Sequence, residues 1–190
     1  MHLGANAAKN SQYGSSSYSV AIGNEAGYDK QGLRSVAIGY RAGAYLGGGF
    51  TGYGQNSGSV AIGEEAGCTG QGGQTGDPNA GAAVAIGKYA GLQYQGGRAV
   101  AVGHRSGETN QGANAVGIGW FAGHTGQGQN AIAVGTNAGV SSQGAGSVAI
   151  GYLAGAANQP ANSIVINASG VALSGTDASA CYVKPIRNLA

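Results

Sequence analysis

The sequence predicts an all-β fold, a parallel β-roll or β-solenoid of about nine rungs on a sixteen-residue repeat. Three observations predict it. A short motif, Ser-Val-Ala-Ile-Gly-x-x-Ala-Gly, recurs through the chain, as at Ser35, Ser59 and Ser147. Its residues alternate with a period of two, the period of a strand. Glycines and one glutamine follow at fixed offsets, as corners and a return path require.

The array runs in order. Residues 1–18 read as an N-terminal cap or lead-in, 19–166 as the repeat roll, and 167–190 as a connector or strand segment. Val20, Val36, Val60, Val84, Val100, Val116, Ile132, Val148 and Ile164 mark one place in nine units, called position zero below. Position +2 is Ile or Val in every unit, and position −1 is only Ser or Ala. Position +1 is Ala in seven of the nine, with Gly117 and Val165 as exceptions. This β-branched alternation predicts a strand with Val and Ile on one face and small side chains on the other.

Gly occupies +3 and +7 in the first eight units, and +6 is Ala except at Ser106. Glycine at fixed places after a strand supplies backbone angles that other residues resist. Gln stands at +11 in seven units, from Gln31 to Gln159, and comes late at Gln55. Stacked rungs about 4.8 Å apart would place these amides in a structural ladder, each bonding the next. The Val36 and Val60 units each run to twenty-four residues, with insertions around 47–54 and 73–82. Both insertions leave near the same corner of adjacent rungs, so they are expected to meet.

Composition excludes several classes. Glycine is 40 of 190 residues, but no Gly-X-Y period exists, so collagen is excluded. Charged residues are only 8% and the net charge is +2 without a basic run, so nucleic acid is not an expected partner. Apolar residues at a fixed interval argue against disorder. Cys68 and Cys181 belong to no repeated position and make neither a disulfide framework nor a metal cluster. The N-terminus lacks a signal-peptide pattern, and apolar runs are too short for membrane insertion. No catalytic set, metal site or cofactor is expected. His2, His104 and His124 fall at unrelated positions, and the carboxylates, adjacent Glu64-Glu65 aside, pair at no repeated offset. The threonines are taken to share no column, against an ice-binding ladder.

A thin coil buries little for the backbone it orders. Val and Ile are therefore expected inside, with Val36, Ile38, Val60, Ile62, Val148 and Ile150 as structural core. The small face, Ser35, Ala37, Ser59, Ala61, Ser147 and Ala149, is expected to pack against sister chains, giving a homotrimer with self as a partner.

Ser-Val-Ala-Ile-Gly-x-x-Ala-Gly resembles the head repeat of trimeric autotransporter adhesins of the Yersinia type, from about Ser19 to Ile166. That resemblance implies a left-handed roll, three chains, and binding to host surfaces. The family's usual unit is shorter by about two residues and lacks the regular Gln-Gly. The tail, Tyr182-Val-Lys-Pro-Ile-Arg-Asn188, resembles the segment before the endosialidase-type chaperone of viral fibre proteins. Together with the sixteen-residue repeats, it resembles attachment proteins of large algal viruses of the chlorovirus type. The resemblance implies a virion surface or fibre location, and a bacterial cell surface is the alternative.

The expected function is a non-enzymatic adhesion module that displays a surface binding a host glycan or protein. The alternatives are a bacterial head binding matrix protein and a passive spacer. Positions +4 and +5 vary while their neighbours stay fixed, which marks a solvent-facing or interface-facing corner. Trp120, Phe121, Tyr89 and Tyr152 there are receptor-binding candidates, able to stack on sugar rings. Packing between protomers is the competing role. Phe50 and Tyr53 in the first insertion are the other candidates, against a clasp between protomers.

Overall fold

The structure is a computed structural model and describes residues 1–10, 18–29, 31–45, 54–73 and 81–186. The chain winds into a parallel β-solenoid. Its strands are β1 (His2–Leu3), β2 (Val20–Ile22), β3 (Val36–Ile38), β4 (Val60–Ile62), β5 (Val84–Ile86) and β6 (Val100–Val102). β7 (Val116–Ile118), β8 (Ile132–Val134), β9 (Val148–Ile150), β10 (Ile164–Asn167) and β11 (Cys181–Lys184) continue them. All eleven lie in one sheet in chain order. The repeat sets the register: Val36 pairs with Val60, Ala37 with Ala61 and Ile38 with Ile62, and so on along the stack.

Two strands extend the nine that the repeat predicts. His2 and Leu3 pair with Ala21 and Ile22, so residues 1–10 form a first rung rather than a lead-in. Its Gly4 and Asn6 take the backbone angles of Gly23 and Glu25. Met1 replaces Val at position zero, which hides the rung from a motif reading. At the other end, Cys181, Tyr182 and Val183 pair with Ile164, Val165 and Ile166.

The interior reverses the predicted faces. Ser35, Ala37, Ser59, Ala61, Ser147 and Ala149 are fully buried inside the single chain, so they are not an inter-chain face. Val36, Ile38, Val60, Ile62, Val148 and Ile150 point outward, half-buried or exposed, and are not the core. The physical reason is the bore of the coil. Ala at +1 faces Ala at +6 across the roll, and the glutamines take the remaining space. Those glutamines are the largest fully buried side chains. Period-two alternation defines two faces but does not say which one turns inward.

The +3 and +7 glycines explain why the coil is so tight. At +3, Gly39 has φ 127°, and a Cβ there would lie 2.6 Å from the Gly63 carbonyl oxygen on the next rung. At +7, Gly91 has φ 53°, and a Cβ would meet Gln95 Oε1 at 2.7 Å. One glycine lets adjacent backbones stack, and the other makes room for the buried amide.

Each of the eight glutamines donates from Nε2 to the carbonyl of a position-zero residue, as Gln31 does to Val20 at 2.8 Å. Amide-to-amide bonds run from Gln95 to Gln111, Gln127 and Gln143 at 3.0–3.1 Å. The ladder is therefore continuous over four rungs, and elsewhere the amides are held by carbonyls. A buried amide is tolerated because its donors are satisfied.

The C-terminal end closes with larger side chains. The inward position grows from Ala149 to Val165 to Tyr182 along paired strands. Tyr182 packs on the last alanine cluster, and its hydroxyl accepts from the Asp177 amide at 2.9 Å and lies 2.8 Å from Asp177 Oδ2.

Candidate functional site

The corner after each strand carries the variable residues. Position +5 has φ between 52° and 60° in all eight rungs from Glu25 to Leu153. This left-handed region costs an ordinary residue about 1–2 kcal/mol, and only Gly, Asn and Asp enter it readily. Asn137 is the one such residue in these eight rungs. Glu25, Arg41, Glu65, Tyr89, Arg105, Phe121 and Leu153 are long side chains held there by the fold.

The N-terminal half of the corner is charged. Arg41 Nε lies 2.6 Å from Glu25 Oε2, and its Nη1 lies 4.0 Å from Glu65 Oε1. The hydrogen bond to Glu25 raises the Arg41 pKa above its ordinary value. Lys88 Nζ lies 3.0 Å from Glu64 Oε2, and that hydrogen bond raises its pKa as well. Pairs that stay partly open to water, as these do, contribute little to stability.

The C-terminal half is aromatic. Trp120 and Phe121 meet edge to face, with centroids 4.8 Å apart and planes at 84°. The Trp120 indole N–H donates to His104 Nδ1 at 3.1 Å. His104 therefore carries its neutral-state proton on Nε2. Phe121 packs on His124 at 4.6 Å. Arg105 lies over Tyr89 at 5.4 Å and Phe121 at 5.6 Å. Glu108 Oε2 lies 3.6 Å from Arg105 Nε and 2.8 Å from His124 Nε2. The His124 contact is close but not aligned as a hydrogen bond.

No family model, curated protein or solved structure matches this chain. The reading of the corner therefore rests on its own geometry.

The structure brings Tyr89, Trp120 and Phe121 into one patch and leaves Tyr152 two rungs away from Trp120 in the same column. Tyr89 and Phe121 are engaged by Arg105, whereas Trp120 and Tyr152 are 50% and 48% exposed. Phe50 and Tyr53 lie outside the described residues. The stems of the two insertions are neighbours: Asn56 Nδ2 donates to the Gly72 and Gly73 carbonyls at 3.0 and 2.6 Å.

His104, Arg105, Glu108 and His124 were not expected at the site. The signal for one pair was an offset: Glu108 and His124 both stand at +8, on consecutive rungs. Three threonines, contrary to expectation, share a column. Thr69, Thr109 and Thr125 share position +9, in a line of parallel bridges with Gln93 and Ser141. Gln93 interrupts them, so they make no continuous threonine ladder. Among the described residues, no three His, Cys, Asp or Glu side chains converge to hold a metal.

Proposed function

We propose that the chain is a non-enzymatic adhesion module that works as a homotrimer. The observation that carries this reading is the outward Val and Ile stripe. It follows position zero and +2 along the stack of in-register strands. At about 4.8 Å per rung it is roughly 48 Å long, a contiguous apolar stripe of the kind that marks an interaction surface. Isoleucines 118, 150, 164 and 166 are 40–41% exposed along it. Identical residues at a fixed interval on a flat sheet suit copies of the same chain closing around an axis. Three is the number in the adhesin heads that the strand motif resembles.

Such a trimer presents the corner columns beside the stripe as a rigid display. A spacer that only sets length would need the stripe. It would have no use for Trp120 and Tyr152 standing 50% and 48% exposed at the variable +4 corner. Repetition over three chains raises the avidity of weak single sites for a host glycan or protein. A place on a virus particle or fibre rests on the resemblance of the tail and the sixteen-residue repeats.

Light scattering at low micromolar concentration tests the assembly. The expected mass is three times 18.4 kDa. A stable monomer overturns the reading. Beads coated with the chain test adhesion, and beads that bind no cell surface in a panel of walled and unwalled cells overturn that part.

A further inference from the structure

We infer that the +4 column between Trp120 and Tyr152 is a binding site for an extended, neutral, β-linked polysaccharide lying along the roll axis. The inference rests on the adhesive reading above and names its ligand class. Trp120, Thr136 and Tyr152 occupy the same position on the rungs of β7, β8 and β9, which are paired in register. Two rungs separate the two backbone positions that carry these rings by about 9.6 Å along the axis. Both rings are half exposed, and Thr136 lies between them with a hydroxyl.

That spacing matches one disaccharide of an extended β-linked pyranose chain. In such a polymer alternate rings present the same face. Ring one would stack on Trp120 and ring three on Tyr152, with the middle ring at the Thr136 hydroxyl. Sugar rings offer C–H faces to aromatic platforms and hydroxyls to polar groups between them. The Trp120 ring is fixed in advance by Phe121 and by its bond to His104 Nδ1. A ring already held loses little freedom on binding. The neutral His104 tautomer leaves Nε2–H as a donor beside the platform.

Charge favours a neutral ligand. Lys88 is paired with Glu64, and Arg105 lies against Glu108. Tyr40 supplies an internal control. It stands in the same column and is 43% exposed, but Arg41 covers its ring at 4.9 Å. No second ring stands two rungs from it, where Lys88 is found.

Affinity electrophoresis of the full chain in hydroxyethyl cellulose or glycol chitin tests the site, with dextran as the α-linked control and alginate as the anionic one. Retardation by at least one neutral β-linked polymer, and by neither control, is expected. Trp120→Ala and Tyr152→Ala should each weaken it by about tenfold or more. Tyr40→Ala should leave it unchanged. Exchanging the rung, in Thr136→Tyr with Tyr152→Thr, should weaken it as much as Tyr152→Ala does. No retardation by either neutral polymer overturns the inference. So does binding that survives Trp120→Ala and Tyr152→Ala, or a variant whose trimer dissociates, because the column is then a protomer contact. Coated beads that bind cells but not the polymers sink this inference and leave adhesion standing. Beads that bind neither sink both.

Discussion

A Cβ on Gly117 would lie 2.7 Å from the hydroxyl oxygen of Ser106. These are the two departures from alanine within the eight-rung interior pattern, and they touch. Ser106 replaces Ala at +6, and Gly117 replaces Ala at +1 on the next rung. The extra hydroxyl fills the space that the missing methyl leaves, and it donates to the Ala122 carbonyl at 3.2 Å. Gly117→Ala alone should overpack the roll and cost about 1–3 kcal/mol. Ser106→Ala alone should cost about 1 kcal/mol, for the hydrogen bond and a small void. The double variant restores the alanine pair of the other rungs and should be more stable than Gly117→Ala alone. Urea unfolding at one protein concentration gives the coupling. Strict additivity would show that the contact is incidental.

The glutamine ladder makes a sharper demand. Gln127 Nε2 donates to the Val116 carbonyl at 2.9 Å and to Gln143 Oε1 at 3.1 Å, while Gln127 Oε1 accepts from Gln111 at 3.0 Å. Gln127→Glu keeps the shape but turns a carboxylate oxygen toward two acceptors. The carboxyl should stay protonated in the fold, so its pKa rises on folding. A raised carboxyl pKa favours folding below the unfolded value of about 4.3, and that advantage is lost as pH rises through the folded value. The variant should therefore approach native stability in acid and fall below it at neutral pH. A urea midpoint that tracks the native protein at every pH would show that the ladder does not need its donors.

How far the sequence alone reaches follows from these residues. Register, corners and the glutamine column are legible because identical residues must stack on identical residues in a parallel sheet. The inside and outside of the strand are not. Val36 and Ala37 alternate equally well with either face inward, and only the closeness of Ala37 to the return path decides it. The bore depends on the +7 glycine, whose room is taken by the following Gln. The N-terminal rung escapes because Met1, His2 and Leu3 share the fold but not the motif. The +8 pair, Glu108 and His124, was readable by offset. The Trp120 bond to His104 was not, because it depends on side-chain direction at a corner with unusual backbone angles.

Cys68 is fully buried next to the +7 corner, and burial pushes its thiol up to about 12 from an ordinary value of 9.0. Folding thus favours the protonated thiol. Below pH 9 both states keep the proton and the group adds no pH dependence. Above it the unfolded chain releases the proton first, so stability should fall as pH rises through the range between the two values. Cys68→Ala should remove that alkaline slope. In the native protein at pH 8, Cys68 should not react with a thiol reagent until the roll unfolds. Rapid labelling of both cysteines in folded protein would contradict the buried position.

Isoleucines 118 and 150 are among the stripe residues that a single chain leaves most open, at 41% and 40%. Lysine at either position can reach water from the surface of an isolated roll, so the fold itself should tolerate it. Within a trimer the same two charges would be trapped against apolar neighbours, at a cost of several kcal/mol. The Ile118→Lys, Ile150→Lys variant should therefore keep the strand signal in circular dichroism and run as a monomer by light scattering. Ala133→Lys, on the intervening strand β8 but inward, should unfold the rung instead, because Ala133 is fully buried. Cys181 gives an independent readout, since it pairs with Ile164 at position zero and extends the stripe. Its exposed thiol should label slowly in the trimer and fast in the lysine monomer. A trimer that survives both lysines, with Cys181 equally reactive throughout, would place the interface on another face.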